Sequence, residues 1–512
     1  MSALVTDKFR IFNAGNFVDS VLDSNNSYYV FLGLSNPESP NPGFGRSTIW
    51  SDDGETPPNP TDNLQYMSHY RDTSLFGKRI TSENVRRVIR KVEWTSNTRY
   101  DMYRHDYSAN NRTPNSESLR LYDSNYYVVN KDFRVYICID NGSSETSLKG
   151  ESSKFEPTST DLAPFPAGND GYLWKYLFTI PPSDIVKFDS SEYIILPNNW
   201  ESSTDPEILR VRNGGDSGVN NNQIKKVYIE SGGTSGYTDG VYNILGDGEG
   251  AQVEITTVNG VITDTNVVSG GKEYTWGVVD LQRSGTIASP PAKLIPIIPP
   301  SKGHGYDIYE ELGADRVLVY ARFDDSTRDF PTNTRFAQVG IVKNPKQYSS
   351  DTINFTGSSY SSLFAIKLDD GYSGSPVIGQ RITQTQSETN IAKGYIASYD
   401  SDTKVLKYYQ DRSLYFTNDL DQTDSNIVSV ESKIVDFNNT SPITFPDTTN
   451  TVVSSGFTGS VYNGFNLGVN FTGGLANPEI NKKTGDIIYI DNRPTVQRNV
   501  RQKEDIKIIL EF

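Results

Sequence analysis

Tyr126-Tyr127-Val128-Val129-Asn130-Lys131-Asp132-Phe133-Arg134-Val135-Tyr136-Ile137-Cys138-Ile139-Asp140-Asn141-Gly142 is the stretch whose reading decides the fold. Two apolar runs, 126–129 and 134–140, flank the polar link Asn130-Lys131-Asp132. Aromatic and β-branched side chains fit a pleated, half-buried surface. A short polar link between two such runs predicts a hairpin, and Asn141-Gly142 is a further turn signal directly after it. Downstream, Tyr172 to Ile180 reads as another strand, ended by Pro181-Pro182, with Ser183 capping a brief helix over 184–188.

The same reading extends to both ends of the chain. Ala14, Phe17, Val18, Val21 and Leu22 fall on one face of a helix over 13–22, with Asn13 as its cap. Tyr28 to Leu32 is a strand, and 35–63 is a loop rich in Pro, Asn, Asp and Gly. Thr81 or Ser82 opens a short helix that runs into a strand reaching Trp94. Arg316 to Phe323 is a strand, and Gly394 to Tyr399 pairs with Lys404 to Tyr409 across Asp400-Ser401-Asp402. Strands are also expected at Asp486 to Ile490 and at the C-terminus, where Ile506, Ile508, Leu510 and Phe512 alternate with Lys507, Ile509 and Glu511.

A near-repeat marks an insert. Ser231-Gly232-Gly233 precedes Tyr237-Thr238, and Ser269-Gly270-Gly271 precedes Tyr274-Thr275. Each copy follows an apolar strand, Val227 to Ile229 and Asn266 to Val268, and the turn Asn259-Gly260 lies between them. The expected fold is mainly β: a β-sandwich-type core with a few short helices, long loops and a small inserted β-module. Its expected divisions are an N-terminal β-rich core with short helices over 1–212, the glycine-rich module over 213–290 and a return to the core over 291–345. An enlarged polar β and loop region over 346–475 and C-terminal core strands over 476–512 complete it.

Composition narrows the function. The 512 residues carry a net charge of −15, a field that repels nucleic acid and anionic membranes. No apolar run reaches membrane-spanning length, and the N-terminus lacks the pattern of a signal peptide. Synthesis and assembly in a cytoplasm are the simplest reading. The single cysteine, Cys138, rules out an intrachain disulfide and sits among apolar neighbours as a structural thiol would. Tyrosine is abundant, at 31 residues, and its ring and polar tip suit interfaces that must also tolerate water.

No catalytic, cofactor or metal residues are expected. His69, His105 and His304 are not spaced as metal ligands, and His105 in Tyr103-Arg104-His105-Asp106-Tyr107 reads as a hydrogen-bonded structural histidine. Gly246-Asp247-Gly248-Glu249-Gly250 lacks the ligand spacing of a calcium loop and reads as a tight turn. There is no phosphate-loop ending and no Gly-x-Ser-x-Gly elbow. One charge feature stands out: Lys78, Arg79, Arg86, Arg87, Arg90 and Lys91 crowd one segment against a single acid, Glu83. These cations are either a solvated or internally paired face, or a docking stripe for an acidic partner. On the second reading Arg86, Arg87, Arg90 and Lys91 are the candidate interface residues.

Several strings together carry a resemblance. They include Asn13-Ala14-Gly15-Asn16-Phe17, Val92-Glu93-Trp94-Thr95 with Tyr100-Asp101-Met102-Tyr103, Val135-Tyr136-Ile137-Cys138-Ile139-Asp140-Asn141 and Asp170-Gly171-Tyr172-Leu173-Trp174-Lys175-Tyr176. Gly303-His304-Gly305, Glu311-Leu312-Gly313 and the ending Gln502 to Phe512 add to it. The chain resembles the baseplate wedge subunits, gene product eight, of T-even-like contractile-tailed bacteriophages, with the nearest likeness to versions from phages of cyanobacteria. The resemblance implies a non-enzymatic virion protein of the tail baseplate. It also implies a β-rich homodimer docked on other wedge subunits in a six-fold assembly. Exposed strand edges that need covering fit the dimer. The module over 213–290 and the region 346–470 depart from the family pattern. A glycan-binding or polysaccharide-degrading tail protein is the competing reading, since aromatic surfaces and acidic pairs would serve it too.

Overall fold

A computed structural model describes residues 4–35, 57–213, 223–281, 289–324, 334–388, 390–411, 434–499 and 502–512. It is mainly β, with several antiparallel sheets and a few short helices. The chain divides into two compact units. The first comprises 1–18, 85–318 and 508–512; the second comprises 19–84 and 319–507. The division differs from the sequence boundaries chiefly in assigning 19–84 to the unit that holds most of the C-terminal half. Strand Tyr28–Gly33 explains this, because it pairs with Arg335–Lys343, some 300 residues away in sequence.

In the first unit the deciding stretch is a hairpin, Tyr127–Val129 against Arg134–Asn141. Asn130 makes the turn: its Oδ1 accepts from Asp132 N at 3.0 Å and Arg134 N at 2.9 Å. Strand Tyr172–Thr179 pairs on the other side, bringing Trp174 opposite Cys138. Residues 135–141 are all buried, on both faces of the sheet, which is why 135–139 run continuously apolar rather than alternating. The rings pack in preferred geometries, with Tyr172 stacked on Trp174 at 5.4 Å and Tyr100 edge-on to Trp174. The two tyrosine hydroxyls find backbone partners, with Tyr172 OH accepting from Tyr100 N at 2.9 Å, whereas Trp174 Nε1 is buried without one among the described residues.

Lys175 lies in this sheet, buried, with its Nζ donating to Leu162 O at 2.6 Å. Burial lowers its pKa to about 8, against a smaller opposing pull from Glu311. The unfolded chain keeps this proton up to about 10.5, so between those values unfolding takes up a proton and stability rises with pH. Below pH 8 both states are protonated and the full penalty, about 3 kcal/mol, is present. Chemical denaturation of Lys175→Met between pH 7 and 10 is expected to show this rise flattened; an unchanged slope would refute it.

The glycine-rich module is part of this unit and has its own core, built from Tyr237, Tyr242, Ile244, Val253, Ile255, Ile262 and Tyr274 among others. Its four-stranded sheet runs in the order Val261–Lys272, Glu249–Val258, Gly240–Gly246, Gly277–Val279. Asn259 and Gly260, both at positive φ, form the two-residue turn that the dipeptide predicts. The repeat has a physical cause. Gly233 and Gly271 both hold positive φ, and a Cβ on either would lie 2.7 Å from the ring of the tyrosine that follows, Tyr237 or Tyr274. The module runs further than expected, because Lys293–Pro296 pairs with Val227–Ser231. Entry and exit are therefore neighbouring strands. Replacing 227–296 by a short Gly/Ser linker is expected to leave the remaining chain folded, with near-ultraviolet dichroism and a single unfolding transition retained. Cooperative loss of the whole fold would overturn this.

The second unit contains a five-stranded sheet, in the order Ser359–Ser361, Ser74–Ile80, Tyr28–Gly33, Arg335–Lys343, Asp486–Gln497. A seven-stranded sheet includes the expected hairpin Ile391–Asp400 with Val405–Tyr409. Its apolar cluster holds Ile366, Ile382, Ile396, Leu406, Tyr408 and Phe437, so the polar, tyrosine-rich region has a core of its own.

The local expectations met mixed outcomes. The N-terminal helix is Asp7–Leu22 and starts earlier than read: Thr6 Oγ1 accepts from Phe9 N at 3.3 Å at its start, and Asn13, the expected cap, lies inside the helix. The helix Pro182–Phe188 has Pro181, not Ser183, at its cap, without a side-chain bond. At Ser82–Asn84 a 3-10 turn runs into strand Val85–Arg90. The C-terminal strand Glu504–Glu511 alternates in burial around Ile508. Most of the loop expected over 35–63, and Gly214-Gly215 at the module's start, lie outside the described residues.

Candidate docking surface

The structure places the charged segment 78–91 on two strands. Lys78 and Arg79 belong to Ser74–Ile80 of the second unit, where Arg79 Nη1 donates to Thr356 O at 2.6 Å. Arg86, Arg87, Arg90 and Lys91 belong to the first unit, along and just after Val85–Arg90, which pairs with Tyr193–Ile195.

Each of these four cations has a partner within its unit. Arg86 grips Asp184 with two bonds, Nε to Oδ2 at 2.9 Å and Nη2 to Oδ1 at 2.8 Å, and packs over the Phe188 ring. Arg87 lies over the face of Tyr309, 3.9 Å from the ring centre. A Cβ on Gly15 would sit 2.8 Å from Arg87 Nη2, so the glycine makes room for the guanidinium. Lys91 Nζ reaches Glu93 at 2.8 Å and Ser190 O at 3.3 Å. Arg90 Nη2 donates to Ser124 O at 2.9 Å and Asn125 Oδ1 at 2.8 Å. Alternating orientation along a strand explains the arrangement: consecutive cations leave opposite faces of the sheet and so meet different neighbours.

Of the four, Arg90 lines an open cleft of about 280 Å³ in this unit. Two further arginines stand in its wall, each held by two carboxylates. Arg120 binds Asp7 at 2.6 Å and Asp123 at 2.9 Å, and these anions raise its pKa. Arg316 binds Asp315 at 2.9 Å and Glu511 at 2.7 Å. Burial raises the Asp315 pKa, with Arg316 opposing and Glu511 reinforcing the shift. Glu192 also lines the cleft, and its carboxylate makes no ion pair or hydrogen bond to the described residues. Five carboxylates thus face three guanidinium groups, a local charge of −2. Sequence reading missed Arg120, Arg316 and their acids because they lie up to 500 positions apart with no common spacing.

The other residues that drew attention are internally engaged. His105 Nδ1 accepts from Ile298 N at 3.1 Å, and burial lowers its pKa. His304 Nδ1 and Glu311 Oε1 are 2.5 Å apart, both buried. His69 lies 3.3 Å from Asp411, again buried. The Cys138 thiol is fully buried, which pushes its pKa up, and it points at Asp140 O. Asp247 accepts from Thr275 N at 2.9 Å and also bonds the Thr275 hydroxyl, so this carboxylate is tied into the turn. Among the described residues no three His, Cys, Asp or Glu side chains gather as a metal-binding group.

Antiparallel sheets with tyrosine-lined cores and an open charged cleft place this chain among mainly β proteins. Within that class it is similar to the baseplate wedge protein gp8 of Enterobacteria phage T4, at 27% identity over 236 residues. The match covers 40% of this chain and 63% of the T4 protein, and it agrees with the resemblance read from the sequence strings. No family model matches the chain.

Proposed function

We propose that this chain is a structural subunit of a phage tail baseplate wedge. It docks neighbouring wedge proteins and supports baseplate assembly and rearrangement during host attachment and tail contraction. It acts without cofactor, without catalysis, and as a homodimer within a six-fold baseplate of the virion. The observation that carries this reading is the similarity to the T4 wedge protein. The fold supports it, since large sheets with internally matched charges suit a load-transmitting part. Sedimentation of the isolated chain tests the dimer, and mixing it with the other wedge proteins of its own phage tests docking. A stable monomer would defeat the first. Failure to enter any complex with those proteins, or polysaccharide cleavage abolished by one carboxylate substitution, would defeat the second.

A further inference from the structure

The cleft beside Arg90 has a chemistry opposite to the one its arginines suggest. Arg120 and Arg316 each sit between two carboxylates, so neither offers a free guanidinium to an anion, and Arg90 is held through its Nη2 to Ser124 O and Asn125 Oδ1. The excess is negative, and part of it is accessible: Glu511 is 58% and Asp123 52% exposed, and Glu192 stands unpaired at the edge. Between the charges the wall presents the half-buried Tyr122 and Tyr193 rings, with the buried Tyr127, Ile89 and Leu312 also lining it. We propose that this cleft docks an arginine- or lysine-bearing segment of another protein.

Four physical points favour that occupant. Long basic side chains pair an aliphatic stem with a cationic head, so they match a wall that alternates apolar surface and carboxylate. A guanidinium can in addition lie against tyrosine faces and take a carboxylate in a two-pronged bond. At about 280 Å³ the space lies at the small end of the roughly 300–1,000 Å³ range of ligand sites and has room for one or two side chains. The cleft's own excess is negative, so a basic segment is the occupant whose charge complements it. The inference rests on the reading of the chain as a docking subunit and adds the chemistry of one partner.

Calorimetric titration of the full chain at low salt, with acetyl-Gly-Arg-Gly-amide and its neutral citrulline counterpart, tests the cleft directly. The arginine peptide is expected to bind and the citrulline peptide not. Glu192→Lys should weaken binding about tenfold or more, while Glu207→Gln, on an exposed helix elsewhere, should leave it unchanged. Because the exposed Glu192 carboxylate makes no hydrogen bond or ion pair to the described residues, the lysine variant should keep the wild-type dichroism spectrum. Equal binding of both peptides, absence of binding, unchanged affinity in Glu192→Lys, or preferential binding of inorganic phosphate would overturn the proposal. Wedge assembly gives the second arm. Slower or weaker incorporation of Glu192→Lys supports the cleft. Normal incorporation of that variant removes the cleft and leaves the wedge role standing, whereas failure of the wild-type chain to assemble removes the wedge role itself.

Discussion

Replacing Asp184 by alanine is expected to lower the unfolding free energy by about 3–5 kcal/mol, because it takes the carboxylate away from a largely buried guanidinium. The Arg86 side chain is 12% exposed and that of Asp184 8%. Their two-pronged bond holds the helix Pro182–Phe188 against strand Val85–Arg90, with the Phe188 ring beneath the cation. Arg86 Nη1 keeps its bond to Val85 O at 2.8 Å in the variant, but neutral acceptors do not replace a carboxylate. The double replacement Arg86→Met with Asp184→Leu should recover most of the loss, since an apolar pair carries no desolvation penalty. Urea denaturation of the two single variants and the double variant measures the coupling. A single-variant loss under about 1 kcal/mol would show the pair to be no more than a surface bridge. The same geometry bears on the docking stripe. Reversing Arg86 would damage folding before it could report on assembly, so charge reversal of that residue cannot by itself identify an interface.

Gly340→Ala is the second large effect, in the other unit. Gly340 faces Phe31 across two paired strands. A Cβ there would lie 2.3 Å from Phe31 Cζ, 2.4 Å from its Cε1 and 2.6 Å from Tyr489 O. Phe31 is buried and the Tyr489 carbonyl is backbone, so neither can move aside cheaply. Overpacking of this kind costs about 1–3 kcal/mol, and contacts this close to backbone put Gly340→Ala at the upper end. Gly456→Ala, where a Cβ would meet nothing within 4 Å, is the control and should stay within about 0.5 kcal/mol of the parent. Thermal unfolding distinguishes them: a marked fall in Tm for Gly340→Ala alone is the expected result, and equal Tm values would contradict the packing argument.

What was legible in the sequence was local. The hairpin around Asn130 could be read because its turn residues, its flanking runs and its register all lie within sixteen positions. The module's repeat could be read from its glycines, although their reason, close approach to the rings of Tyr237 and Tyr274, is visible only in three dimensions. The helix Leu64–Thr73 escaped notice because its sequence, LQYMSHYRDT, carries little apolar periodicity. The short turn of helix Ile308–Glu311 is held by one capping residue, Asp307, too small a signal among many aspartates. The division into units was hidden for another reason. Pairing of Tyr28–Gly33 with Arg335–Lys343 depends on packing between distant segments, and no local pattern encodes it. The charges behaved likewise. The crowding of Arg86, Arg87, Arg90 and Lys91 was plain, but their partners Asp184, Tyr309, Asn125 and Ser190 come from four other segments. The carboxylate excess beside Arg90 arises only when residues from position 7 to position 511 converge.

The central claim, a docking subunit of a baseplate wedge, is tested most directly by electron cryo-microscopy of the assembled tail of the phage that encodes this chain. The account predicts density for the chain in every wedge of a six-fold baseplate, as paired copies in contact with other wedge proteins. A basic side chain of one neighbour should enter the cleft lined by Arg90, Glu192 and Glu511. A tail whose baseplate is complete without this chain, or a map that places it on a fibre or spike with its aromatic face toward host glycan, would contradict the account.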